Sequence, residues 1–143
     1  MPPEARSIGR AEVILVDSSV WIGFIRNRAT IPRDPDLYGQ LVTCGPVLQE
    51  VLQGLRPGPF NADFREAMLA IPCLGNPLSL DTFLAAADIY QQGRNRGFTI
   101  RSSFDCLIAA IAMEHNAAVW HHDRDFGTIA KYTSLRATSR LLH

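Results

Sequence analysis

Apolar residues along the chain form two kinds of run, short continuous ones and longer ones at helical spacing, and their alternation predicts elements before any chemistry is considered. Val13-Ile14-Leu15-Val16 is continuous, apolar and β-branched, the pattern of a strand buried on both faces of a parallel sheet. Asp17 ends it. From Ser18 to Asn27, Val20, Trp21, Phe24 and Ile25 share one helical face behind a Ser/Asp cap, and core packing or an exposed apolar groove would each account for the three larger ones on it. Pro32 and Pro35 punctuate a loop, residues 36–41 read as a short helix, and Val42-Thr43-Cys44 as a short second strand. A helix opens at Pro46, where the missing N–H of proline is harmless, and runs through Glu50 to Leu55 until Pro57-Gly58-Pro59.

The second half repeats the alternation. A helix is expected over residues 62–70, then a turn-rich stretch from Ile71 to Leu78 with one short strand. Asp81 is positioned to cap the next helix, on which Phe83, Ala86, Ala87 and Tyr90 share a face, and Gly93 to Gly97 marks its exit. Thr99-Ile100 reads as a strand remnant. Ser102 or Ser103 caps a strongly apolar helix from Phe104 to Glu114, closed by His115-Asn116. Residues 117–121 form the last clear strand, ending at Asp123, and residues 126–132 a final helix. Residues 1–12 lack periodicity and read as a flexible extension to a single domain over 13–143. Strands alternating with helices predict an α/β fold, a three-layer α/β/α sandwich around a central, mainly parallel sheet.

This architecture gives the acids their interest. The carboxyl ends of parallel strands share one edge, and ligands bind in the crevice outside it. Asp17 and Asp123 each follow a strand and so belong to that rim. Asp105 lies in the first turn of the apolar helix, where the free N–H groups favour negative charge. Glu50 stands among Val47, Leu48, Val51 and Leu52, unusual company for a solvated carboxylate. Singly, each has an ordinary explanation as a helix cap, a first-turn acid, a solvated helix position or a turn residue. Together, three or four carboxylates within a few Å stay ionised only around a cation, and Mg²⁺, which prefers hard oxygen ligands, suits them.

Composition narrows the classes. The longest apolar run, Leu107 to Met113, has seven residues, far short of the roughly 20 that span a bilayer. The N-terminus has no apolar stretch behind its charges, as a secretory signal would. Cys44, Cys73 and Cys106 are odd in number and widely spaced, which fits reduced thiols in a cytoplasmic protein better than disulfides or a zinc site. Fourteen basic residues balance fourteen acidic ones, so bulk charge does not advertise nucleic acid. Setting four acids aside for a metal leaves fourteen cations against ten anions, and thirteen of those cations are Arg, the better fork for phosphate. Arg26, Arg28, Arg94, Arg96, Arg101 and Arg124 stand near element ends as candidates for a basic rim.

Other chemistries lack their signatures. Neither G-x-G-x-x-G nor G-x-x-x-x-G-K-[ST] occurs. Ser19 stands where an aspartyl phosphatase has its second Asp, and Val16 precedes Asp17 where a receiver domain has paired acids. His121 and His122 adjoin Asp123 but point to opposite faces of a strand, one to the core or rim and one to solvent.

Four segments resemble the motifs of PIN-domain ribonucleases, and among these the VapC toxins of bacterial type II toxin–antitoxin pairs: Val16-Asp17-Ser18-Ser19-Val20-Trp21, Glu50-Val51-Leu52-Gln53-Gly54, Ser103-Phe104-Asp105-Cys106-Leu107-Ile108-Ala109-Ala110-Ile111-Ala112, and His122-Asp123-Arg124-Asp125-Phe126. The resemblance spans about residues 13–132. It implies that Asp17, Glu50, Asp105 and Asp123 are an acidic quartet holding one or two Mg²⁺ or Mn²⁺ ions, with Asp125 competing for the fourth place. Ser19 and Ser103 match positions where such proteins often carry a hydroxyl near the site. It further implies hydrolysis of an RNA phosphodiester, with tRNA among the expected substrates, a cognate VapB-like antitoxin, and a homodimer. The alternative is a non-catalytic PIN-like module that binds RNA or protein, against which the intact acid set speaks.

Overall fold

The computed structural model describes residues 12–141. Its elements alternate as β1 Ile14–Val16, α1 Ser18–Arg26, α2 Pro35–Tyr38, β2 Leu41–Cys44, α3 Gly45–Gln53, α4 Pro59–Ala70, β3 Cys73–Leu74, α5 Leu80–Asn95, α6 Ser103–Glu114, β4 Ala118–Trp120, α7 Arg124–Ala130 and β5 Ala137–Thr138. All strand pairs are parallel, in the order β3-β2-β1-β4-β5. The chain moves outward from β1 through β2 to β3 and then crosses back to β4 on the other side of β1, and because such connections are right-handed the helices fall on both faces of the sheet. This is the expected three-layer α/β/α arrangement.

The order reverses between β1 and β4. Val16 pairs with Trp120, so the two strands end level, and the Asp17 N–H still donates to the Trp120 carbonyl at 2.9 Å. Ile14, Leu15, Val16 and Val119 are completely buried, as continuous apolar strands under two helical layers must be. The core continues through α6, where Asp105 to Ala112 form one unbroken buried run.

Several local expectations are corrected. Leu41 belongs to β2, not to the short helix before it, because its β-ladder partner is Ile14. Pro59 does not end α3 but starts α4, again at the position that needs no N–H. Ser79, not Asp81, caps α5: its hydroxyl accepts the Thr82 N–H, and Asp81 sits in the first turn. The buried stripe of α5 is Thr82, Ala86, Ile89 and Gly93, while Phe83 and Tyr90 face outward at 48% and 38% exposure. Thr99-Ile100 forms no strand. Asn116 adopts φ 52° after α6, the left-handed stop expected of it. Of the N-terminal extension, residues 1–11 lie outside the described residues; Glu12 pairs with Arg136.

Candidate metal centre

Asp17 and Asp123 occupy equivalent junctions, each standing between a strand end and the helix it caps. Because β1 and β4 are adjacent and end level, both carboxylates arrive at the switch point of the sheet. Asp17 is 2% exposed. Its Oδ2 accepts the Ser19 N–H at 3.1 Å and the Ser19 hydroxyl, while Oδ1 is buried without a partner among the described residues. Burial raises its pKa, and the nearby Asp123 charge adds to the rise.

The helix start of α6 brings the next acid to the same rim. One carboxylate oxygen from each of Asp105, Asp123 and Asp125 lies within 4.8 Å of the others. Asp105 is 4% exposed and its Oδ2 has no partner among the described residues. Its pKa is pushed up to about 9, first by burial, then by a hydrogen bond with Asp123 and by the charges of Asp123, Asp17 and Asp125. Without a counter-charge, protonation is the cheapest relief for so crowded a carboxyl.

Asp123 and Asp125 differ in their other bonds. Asp123 Oδ1 accepts the Asp125 N–H at 3.0 Å, the ordinary cap of α7. Asp125 is buried, and its Oδ2 accepts the N–H groups of Arg101 at 3.0 Å and Ser102 at 3.1 Å. Asp125 thereby latches the segment that leads into α6 and sets where Asp105 begins.

Glu50 approaches from α3, half-buried, with Oε1 accepting the Ser18 hydroxyl at 3.3 Å. Burial and then the Asp17 charge raise its pKa. Ser19 does double duty, since its Oγ also accepts the His122 N–H at 3.0 Å and so joins the two strand ends. Ser103 is exposed at the start of α6 and bonds none of the acids. His121 is buried against Phe126 and His122 is exposed, the split expected of strand neighbours. Sequence reasoning missed the bridging by Ser18 and the latch by Asp125. A hydroxyl beside each acid is a weak signal, and a carboxylate that accepts N–H groups 23 and 24 residues upstream leaves none.

Of the arginine candidates, Arg101 and Arg124 flank the acids, whereas Arg26 ends α1, nine residues and about 13.5 Å along the helix axis. Arg28 lies past that end with its guanidinium 3.7 Å from the Phe60 ring centre. The expected apolar groove on α1 exists in part: Trp21 and Phe24, each almost buried, line a cleft of about 450 Å³ with Phe60, Phe64 and Met68, and Ile25 does not.

The donor set fits a hard divalent cation. The side-chain oxygens at the rim are all carboxylate, those of Asp105, Asp123 and Asp125 forming the close group with Asp17 and Glu50 beside it. Asp17 Oδ1 and Asp105 Oδ2 are buried and unbonded, and among the described residues no ammonium or guanidinium forms an ion pair with these acids. Among the described residues, no helix is long and apolar enough to cross a membrane.

Comparison with known proteins is consistent with this geometry. The PIN domain family matches residues 14–132. The chain is 34% identical over 133 residues to VapC ribonuclease Mb1587 of Mycobacterium bovis, an alignment that covers 89% of this chain and 98% of that protein. The fold is similar to that of VapBC-1 from nontypeable Haemophilus influenzae, with a TM-score of 0.61 and 19% identity over 87% of this chain and 96% of that one. It is also similar to VapBC2 from Rickettsia felis, solved bound to a DNA fragment from their promoter, with a TM-score of 0.63 and 15% identity over 90% and 99% of the two chains.

Proposed function

The chain belongs to the PIN-domain family and to its VapC group, and from that premise we propose that it is a metal-dependent endoribonuclease, the toxin of a toxin–antitoxin pair. The observation that carries the proposal is the cluster of carboxylates that meets no counter-charge among the described residues, in a chain whose 34% identical relative is named a ribonuclease. In this reading Asp17, Glu50, Asp105 and Asp123 form the ligand and catalytic set for one or two Mg²⁺ or Mn²⁺ ions. Asp125 is an accessory residue, since one of its oxygens is committed to the latch. The ion supplies Lewis-acid polarisation of the phosphate and an acidified water.

The chain's own groups do the rest. Ser19 fixes the orientation of Asp17 and ties it to the strand end that carries Asp123. Ser18 holds one Glu50 oxygen and so fixes the side chain that reaches the rim from α3. Such constraints matter because a misplacement of about 1 Å in a catalytic group can cost on the order of a hundredfold in rate.

RNA is the substrate on this reading, and a VapB-like antitoxin is the partner that restrains the enzyme. The cleft walled by Trp21, Phe60 and Phe64 fits an apolar antitoxin segment. The exposed apolar face of α5, with Leu80, Phe83 and Leu84, fits the expected homodimer. The three free cysteines suit the cytoplasm, where such a substrate is met. The test is cleavage of total small RNA by antitoxin-free protein with Mg²⁺ or Mn²⁺, beside Asp105→Asn and a chelator, with new 5′ ends mapped. Discrete cuts that need both metal and Asp105 are expected. Metal binding without any cut would favour the non-catalytic module.

A further inference from the structure

A second groove, of about 530 Å³, runs along α1 away from the acids. It starts at the site, because His122 lines it and the His122 N–H is bonded to the Ser19 hydroxyl that also holds Asp17. Arg33 and Arg140, both exposed, line it as well, and one carboxylate, Asp34, shares that lining with the two cations. Among the described residues neither guanidinium forms an ion pair, the one pair there being Arg136 with Glu12. The floor is apolar: Phe24 and Trp120 meet edge to face with ring centres 5.7 Å apart, and the buried Trp120 indole N–H finds no acceptor among the described residues.

Gly23 is the second, independent sign. It lies in the middle of α1 and lines this groove, where glycine weakens a helix. Packing does not require it, because a Cβ placed there would meet nothing within 4 Å. What the glycine preserves is open space above the helix backbone, about 9 Å along α1 from Asp17. An apolar aromatic floor, two cations in no ion pair among the described residues and a notch in the wall suit a base with its phosphates better than a purely apolar segment.

We infer that this groove binds a nucleotide of the RNA strand next to the one cut at the carboxylates, its base against the Gly23 and Trp120 floor and its phosphates on Arg33 and Arg140. The inference rests on the nuclease reading and deepens it by assigning part of the substrate path. Arg33 and Arg140 act as binding residues with no part in the reacting atoms.

The test uses full-length Asp105→Asn protein as a non-cleaving trap and a labelled single-stranded RNA of mixed sequence, with affinity read by anisotropy across a salt series. Arg33→Ala with Arg140→Ala should weaken binding at least tenfold and flatten the salt dependence by about 0.7 per lost phosphate contact. Gly23→Val should weaken binding at similar scale with the salt slope unchanged, because it blocks space and removes no charge. Gly23→Ala should raise Tm and still weaken RNA binding, which separates occupancy of the groove from damage to the fold. Unchanged affinity and slope in all three, with the trap itself binding RNA, would overturn the inference. So would variants that leave RNA binding intact and weaken only an antitoxin peptide. The nuclease reading is scored separately, by metal-dependent cleavage with the unsubstituted chain: cutting with an unaltered KM in the groove variants rejects the groove alone.

Discussion

The two sides of the acid cluster are built differently. On the α1 side, Asp17 and Glu50 are each met by a serine hydroxyl, from Ser19 and Ser18. On the α6–α7 side, backbone N–H groups satisfy Asp125 and one oxygen of Asp123. Asp105, which like Asp17 keeps a buried oxygen without a partner among the described residues, accepts no such N–H or hydroxyl among them and faces the like charges of Asp123, Asp17 and Asp125. Hydroxyls and amides offset a carboxylate locally, but only a cation offsets a cluster. The unequal support teaches where a bound ion has most to relieve, and that is at Asp105.

The largest effect should therefore come from Asp105→Asn, which keeps the volume and removes the charge. Cleavage should fall by at least about a hundredfold, the scale of losing one preorganised electrostatic group. The same variant should melt higher than the original chain in chelator, and a lower Tm there would break the comparison. Next comes the ion itself. Mg²⁺ or Mn²⁺ at a hundredfold excess over Kd should stabilise the protein by about 2.7 kcal/mol in thermal or denaturant unfolding, and Asp105→Asn should lose most of this.

The pH dependence has the same origin. Folded Asp105 keeps its proton to about pH 9, whereas an unfolded Asp releases it near pH 4, so between these values the native state binds more protons. Stability in chelator is complete below about pH 4 and should fall as pH rises toward 9; Asp17 and Glu50, both raised, tilt the curve the same way. Urea unfolding across this range should show the slope, and Asp105→Asn should flatten it. Asp125→Ala should cost about 1–3 kcal/mol by stranding two N–H groups, as well as activity, since α6 loses its tether. The smallest effect is expected for Ser19→Ala, which removes two hydrogen bonds worth about 1 kcal/mol each and lowers the rate modestly, because Asp17 still accepts the Ser19 N–H.

Much of this arrangement was legible in the chain, and for a definable reason. The apolar run before Asp17 and the one before Asp123 identify parallel strands, and parallel topology alone carries both acids to one edge. The long buried run of α6 likewise announced that Asp105 enters from the core side. What stayed hidden depends on partners distant in sequence. The face of α5 rich in large apolar residues looked like the core face, yet α5 packs on α6 through Thr82, Ala86, Ile89 and Gly93, only one of them a large apolar residue. β5 is two residues long, too short for any periodicity. The Asp125 latch is a long-range bond between a side chain and a loop backbone, which no local pattern encodes.

The tight fit at Gly93 extends beyond packing. A methyl group there would stand 2.6 Å from the Tyr132 hydroxyl, which donates to the Ile89 carbonyl at 2.7 Å while its ring stacks on Phe98 with centres 5.6 Å apart. Phe98 opens the segment that ends at the Arg101 and Ser102 amides held by Asp125. On the toxin reading proposed above, Gly93→Ala is thus a route to a heat-sensitive form, tolerated when cool and slack when warm, with every acid left in the sequence.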